Sequence, residues 1–298
     1  MSGLKDLLSA QLYLLGWKIV QALPEKSAYR LFEKLGKTLY NRNGKAVQRL
    51  RSNLEVVLQG SSTVELEKLV VNGISSYFRY WCDTFRFPGW SHEKIRSTVK
   101  VTNEHLLKDP VAAGTGVIVA LPHSGNWDHA GAYFCAQGIP LVTVAERLKP
   151  EILFKKFLRY REAIGMEVLA LDSNTLPTLS NRLNEGKLIA LVADRDFSKS
   201  GVEVDFFSKK AKMPIGPAVL SLRTGAPLIT AQVSYNPNGI QIDFLGPLIP
   251  RIEGSLEEQA KDLVQQCADN FEIGISKHPE DWHMLQRIWT DGDFVERT

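Results

Sequence analysis

At 298 residues the chain has room for one large α/β domain or two small ones, and no Ser/Gly/Pro tract, charge block or repeat reads as a linker, so it is taken as one domain over 1–298 with a helical N-terminal preface. A formal net charge of +3 is too small to argue for nucleic acid, and no nucleic-acid motif occurs. Cys82, Cys135 and Cys267 lack C-x2-C spacing and the six histidines lack the i,i+4 pairing of a zinc helix, so reduced core thiols in a cytosolic compartment and no metal are expected.

Leu4, Leu8, Leu12, Leu15, Ile19 and Leu23 recur at three and four residues, the period of an amphipathic helix. Only 11 uncharged residues run from Leu7 to Trp17, whereas a bilayer span needs about 20. No small-residue cleavage site follows. This helix, over 1–25, is expected neither to span nor to target for secretion. It either packs on the body of the protein or lies in a membrane interface with Tyr13 and Trp17 at headgroup depth.

Helical pattern follows from Ser27 to Gln59, with breaks expected at Gly36 and Gly44, and again from Val64 to Phe87. The second helix carries Tyr77, Phe78, Tyr80, Trp81 and Phe85, either core or the wall of an acyl-chain groove. Beyond it strands and helices alternate, which predicts an αβα sandwich with a mostly parallel central sheet. The strands are placed at Val117–Leu121, Leu141–Ala145, Glu167–Ala170, Leu188–Ala193, Leu228–Tyr235 and Gln241–Leu245. The helices are placed at Asp128–Gln137, Pro150–Ile164, Leu176–Asn184, Gly216–Arg223 and Leu256–Lys277, the last with a capping box between Ser255 and Glu258.

His123 and Asp128 form an H-x4-D element at the exit of the apolar run Val117-Ile118-Val119-Ala120. Open α/β sheets place ligands at the carboxyl ends of strands. An imidazole there can take a proton from a hydroxyl while a carboxylate on the same loop, turned back at Gly125-Asn126, holds the other ring nitrogen. On this reading His123 is the base and Asp128 its orienter; the bland alternative is a surface pair. Ser124 lacks a G-x-S-x-G elbow and is read as a loop residue. Gly114, Gly116 and Gly125 form no phosphate-binding pattern, which disfavours nucleotide hydrolysis and hydride transfer. Asp194-Arg195-Asp196 follows another buried strand, as an ion-pair knot or as part of the site. Glu203 and Asp205 alternate on one strand face, as a substrate contact at Glu203 or as a solvated face. From Arg147 to Arg161 six basic residues (Arg147, Lys149, Lys155, Lys156, Arg159, Arg161) face one acid, Glu151. Donor phosphates and an anionic bilayer, at about 1 kcal/mol per cation, compete as partners for them. Lys209, Lys210 and Lys212 make a second basic loop, and Ser200 and Arg223, which flank it, are assigned to substrate binding on position alone. His129 is expected to point away from the site and His283 to be structural.

The word His123-Ser124-Gly125-Asn126-Trp127-Asp128 resembles the signature of the H-x4-D acyltransferases of the lysophospholipid acyltransferase superfamily, in the branch of the lipid A and phosphatidylinositol mannoside acyltransferases. The stretches 143–151, Tyr160-Arg161-Glu162, 201–207 and 278–286 are similar to the actinobacterial mannoside enzymes, and the likeness runs from about Leu4 to Trp289. It implies a peripheral enzyme on the cytoplasmic face of the cell membrane. Such an enzyme moves a long acyl chain, palmitoyl, from acyl-CoA as co-substrate to the 6-hydroxyl of a mannose on phosphatidylinositol mannoside, with no cofactor. It further implies that Asp194 assists His123, at a place where that branch commonly carries the longer Glu, and that Arg161 belongs to the acyl-donor site. Alternatives are a lipid A-type secondary acyltransferase using acyl carrier protein, a catalytically silent lipid-binding protein of the same fold, and a thioester hydrolase.

Overall fold

Three short apolar runs, Val117–Leu121, Leu141–Ala145 and Leu188–Val192, carry few polar side chains and are rich in β-branched residues, the pattern of strands covered on both faces. In the computed structural model, which describes residues 2–145 and 151–291, these are β2, β3 and β5. In chain order the elements begin with helices α1 (Ser2–Ala22), α2 (Glu25–Arg42), α3 (Lys45–Leu58), α4 (Thr63–Arg86) and α5 (His92–Ser97). There follow β1 (Val99–Thr102), α6 (His105–Ala112), β2, α7 (Trp127–Cys135), β3, α8 (Glu151–Ala163), β4 (Met166–Ala170), α9 (Thr175–Asn184) and β5. The hairpin β6 (Val202–Phe206) and β7 (Lys209–Met213), α10 (Gly216–Thr224), β8 (Leu228–Asn236), β9 (Gly239–Leu248) and α11 (Leu256–Lys277) complete the order.

The main sheet has the order β1-β9-β8-β2-β5-β3-β4, parallel at every pairing except β8 with β9. Side chains of β2 divide between two cores. Ile118 and Ala120 pack with α3, α4, α9, α10 and α11, whereas Val117, Val119 and Leu121 pack with Leu107 of α6 and Ala130 and Phe134 of α7. The αβα sandwich expected from the alternation is thus the observed architecture. Capping boxes at Ser62/Glu65 and Ser255/Glu258 start α4 and α11, satisfying two otherwise unpaired amides at each helix end.

Gly36 does not break the helix as expected. It lies inside α2, buried, where a Cβ would stand 3.5 Å from Ile74 and Phe78, so it is a contact point for α4 and not a stop. The turn falls at Asn43, in the left-handed conformation, and Gly44. The strand β1 and the full hairpin went unread in the sequence; β1 is a four-residue edge strand with little apolar signal. No helix among the described residues is long and apolar enough to cross a membrane.

α1 packs on the body of the protein through the residues expected at headgroup depth. Trp17 is 2% exposed, stacks near Phe85, Phe157 and Tyr160, and donates its indole N–H to the Phe85 carbonyl at 3.0 Å. Tyr13 packs on Phe85 as well. Among the described residues of α1 the exposed large apolar side chains are Leu15 at 55% and Ile19 at 51%, beside exposed Gln11, Lys18 and Gln21, and Leu31 and Leu35 of α2 are also exposed.

Candidate active site

β2 and β5 run side by side in parallel, with Leu121 opposite Val192. His123 stands two residues beyond the end of β2, and Asp194 two residues beyond the end of β5. Equal offsets from paired strand ends bring the two together. His123 Nδ1 lies 2.5 Å from Asp194 Oδ1, and the His123 backbone N–H donates to Asp194 Oδ2 at 2.9 Å. Asp194 is fully buried. Burial opposes its charge, but the imidazole beside it, with the donors from His123 and Trp282, outweighs that cost and holds the carboxyl below its usual range. An ionised carboxylate only accepts hydrogen bonds, so the bond assigns a proton to Nδ1, and in the neutral ring Nε2 then keeps its lone pair. The His123 side chain is 23% exposed, the accessible end of an otherwise buried pair.

Asp128 does not orient His123. It sits in the first turn of α7, behind the N-cap Asn126, whose side chain takes the His129 N–H at 2.9 Å. There its Oδ1 accepts from Arg161 Nε at 2.9 Å and its Oδ2 from the Tyr80 hydroxyl at 3.1 Å. The cause is the turn: Gly125 adopts φ +57°, and a Cβ there would lie 2.6 Å from the Val233 carbonyl oxygen. This sends the residues after it along α7, toward α8 and α4 and away from β5. Arg161 is raised above its ordinary value: burial works against its charge, and the Asp128 carboxylate more than compensates. Tyr80 stacks on Trp127 at 4.3 Å, and Trp127 meets the His123 ring edge-on at 5.6 Å. The aromatic stripe of α4 therefore serves both as core and as a wall of the site.

An apolar slot runs between the sheet and α7, lined among others by Leu121, Phe134, Met166 and Phe244; its charged lining residues are Asp128 and Arg161.

The segment after α11 crosses the loop at 123–125. Ser124 and Trp282 form an antiparallel bridge, the His283 N–H donates to the His123 carbonyl at 2.8 Å, and the Gly125 N–H donates to the Asp281 carbonyl at 2.9 Å. Trp282 Nε1 donates to Asp194 Oδ2 at 2.9 Å. Ser76 Oγ and the Tyr235 N–H hold the Asp281 carboxylate at 2.6 and 2.7 Å. His283 Nε2 lies 2.9 Å from Ser76 Oγ, and burial, then the charge of His123, lowers its value to about 3. The sequence marks 278–286 as a stretch similar to the mannoside enzymes but assigns no role to Asp281 or Trp282 within it.

The remaining sequence-predicted residues do not gather at His123. Ser200 is exposed, bonded to Ser198, and lines a surface depression with Glu203, Ile215, Glu257 and Lys261. Glu203 faces solvent on β6 opposite Lys212, because β6 alternates buried and exposed positions. Arg223 lies in the last turn of α10, exposed. Leu228, just beyond it, pairs with Ile118 at the start of β2, so Arg223 sits at the edge of the sheet opposite the site. In the triplet after β5, Asp196 accepts the Ser198 N–H, and Arg195 lies over Phe197. Lys209 and Lys210 pair with Asp291 and Asp205. Lys155, Lys156 and Arg159 of α8 are exposed; Arg147 and Lys149 lie outside the described residues. His129 points away from the loop to Thr98 and the Ile95 carbonyl, and burial lowers its value to about 4. His278, Glu280 and Asp281 bring possible ligand atoms within 4.8 Å of one another, but Asp281 already spends both oxygens on Ser76 and Tyr235.

A family model described as bacterial lipid A biosynthesis acyltransferase matches residues 5–291. The phosphatidylinositol mannoside acyltransferase of Mycolicibacterium smegmatis is 38% identical over 283 residues, 93% of this chain and 90% of that protein. The protein of the same name from Mycobacterium tuberculosis is 39% identical over 283 residues, 93% of this chain and 87% of that protein.

Proposed function

The chain belongs to the bacterial lipid A biosynthesis acyltransferase family, and on that premise we propose that it transfers a long acyl group, palmitoyl, from acyl-CoA to the 6-hydroxyl of a mannose on phosphatidylinositol mannoside. The observation that carries the chemistry is the His123–Asp194 pair. Nδ1–H is held by a buried carboxylate and Nε2 is left to take the proton of the attacking hydroxyl. As the sugar oxygen bonds to the thioester carbon, its proton passes to His123 Nε2. Asp194 stabilises the imidazolium that results, the C–S bond breaks, and the proton is delivered to the departing thiolate. No protein nucleophile is required, because the sugar hydroxyl itself attacks.

The acceptor is supported by the names of the two relatives. The acyl chain is assigned to the apolar slot beside α7, with Arg161 at the donor side, paired to Asp128 along the same lining. Peripheral binding to the cytoplasmic face of the membrane fits the exposed Leu15, Ile19, Leu31 and Leu35 of α1 and α2. The alternative donor is acyl carrier protein. The test is palmitoyl transfer from palmitoyl-CoA to purified phosphatidylinositol mannoside, wild type beside His123→Ala. Transfer by wild type, with a loss of ~10²- to 10⁴-fold in a folded variant, is expected. Full activity in the variant overturns the base. Absence of transfer by wild type from palmitoyl-CoA, with transfer from acyl carrier protein, overturns the donor.

A further inference from the structure

The carboxylate that holds the base is itself held from a distant part of the chain. Asp194 accepts three hydrogen bonds: two from His123, through Nδ1 and the backbone amide, and one from the indole of Trp282. Both Asp194 and Trp282 are 0% exposed, so the indole donor is shielded from bulk solvent. Trp282 is in turn clamped. Its ring packs against Phe206 at 5.9 Å and Phe207 at 6.4 Å in the hairpin, and its backbone pairs with Ser124. The residues on either side of it, Asp281 and His283, bind the catalytic loop through Gly125 and His123.

We infer that Trp282 is a positioning residue of the reaction: its indole N–H fixes the rotation of the Asp194 carboxylate, and thereby the direction in which His123 presents Nε2. The inference rests on His123 as the base. Without the indole donor the carboxylate can rotate about its Cβ–Cγ bond, which unseats Nδ1–H. Its negative charge is also shared among fewer donors, so it holds a proton on the imidazole more firmly. The titratable groups facing the pair from neighbouring elements do not mask this effect. His283 on the crossing segment is buried and neutral, its value lowered to about 3 by burial. Asp128 on α7 is paired with Arg161 of α8.

Two replacements separate the N–H from the ring. Trp282→Phe shortens the side chain, and benzothienylalanine at 282 keeps the bicyclic shape with sulfur in place of N–H. Both are compared with wild type and His123→Ala in acyl transfer over a pH series and in thermal unfolding. In the benzothienyl protein the expected result is a kcat lower by about tenfold, the worth of one hydrogen bond to a charged group. KM for donor and acceptor is expected to be unchanged, and the acid limb of kcat/KM, where the base takes up its proton, to move to higher pH. The downfield proton resonance of the Nδ1–H of His123 moves with it. A benzothienyl protein with wild-type kcat and acid limb overturns the inference. So does one whose kcat falls only in proportion to its folded fraction, with the acid limb in place. Retained activity in His123→Ala fails the underlying reading instead, whatever Trp282 does.

Discussion

Two buried aspartates stand near the two ends of the same stretch of chain as it enters and leaves the Gly125 turn, and they do different work. Asp194 meets an imidazole that is partly exposed, so its charge is transmitted to an atom that a substrate can reach. Asp128 meets a guanidinium and a phenol and transmits nothing to the base; it ties α7 to α8 and α4 and lines the apolar slot. The H-x4-D spacing names the second aspartate, while the sheet supplies the first. The role of a carboxylate is set by what its partner can do next, and the partner is decided by which elements are neighbours.

The contrast is broken most severely by Asp194→Asn. The amide cannot accept in the same way from Nδ1–H and the backbone, and kcat is expected to drop roughly 10³- to 10⁴-fold, a larger loss than the roughly 1–3 kcal/mol of stability that a buried unsatisfied donor costs. Equal losses of kcat and stability would reduce Asp194 to a structural group. Asp128→Ala should show the reverse emphasis. It leaves Arg161 buried without its partner and costs about 3–5 kcal/mol of stability by chemical denaturation. Asp128→Ala/Arg161→Leu should recover part of that loss, and failure to recover any would mean that Asp128 matters for more than the ion pair. Gly125→Ala tests the turn that sends the two ends apart. Backbone strain at positive φ alone costs about 2 kcal/mol, and the 2.6 Å approach to the Val233 oxygen adds to it, so activity and stability should fall together.

Per histidine and per pH unit, the effect of acid is the smallest of these. Asp194 lies below its ordinary value, so its contribution to stability is present at neutral pH and is lost only as pH falls through that lowered value. His129 and His283 are lowered to about 4 and about 3. The stability that rests on their neutrality is complete above about 6.5 and declines on acidification toward those values, at about 1.4 kcal/mol per pH unit for each. The first loss on acidification should therefore belong to these histidines. Denaturation midpoints between pH 7 and 4 for His129→Asn, expected to show a shallower decline, check the assignment.

Much of the scaffold could be read from local pattern. β2 and β3 begin and end where their apolar runs do, and α11 starts at its capping box. The position of His123 could be read as well, because an imidazole at the exit of a buried strand is a local feature. Its partner was assigned to Asp128, and Asp194 was reached only through a family resemblance. Strand adjacency is non-local: nothing in residues 117–128 says that the next strand in space is 188–192. Given that adjacency, two residues past each paired end would have sufficed. Trp282 falls in a stretch that carries the family resemblance but had no assigned role, since a tryptophan after a helix looks like core until the element it crosses is known. Ser200 and Arg223 rest on nearness in sequence to a basic loop and Glu203 on the alternation of one strand, and sequence nearness does not survive a hairpin and a helix that carries Arg223 back across the sheet.

The distances along the chain within the site have a further consequence. The bond from His123 to Asp194 spans 71 residues and that from Trp282 to Asp194 spans 88. Contacts that close such long loops are bought late in folding, after the local helices have formed. During refolding, helical signal should therefore return before catalytic competence. The interval between them times the docking of residues 281–283 onto the loop at 123–125, which makes regained turnover a clock for the final long-range closure of the molecule.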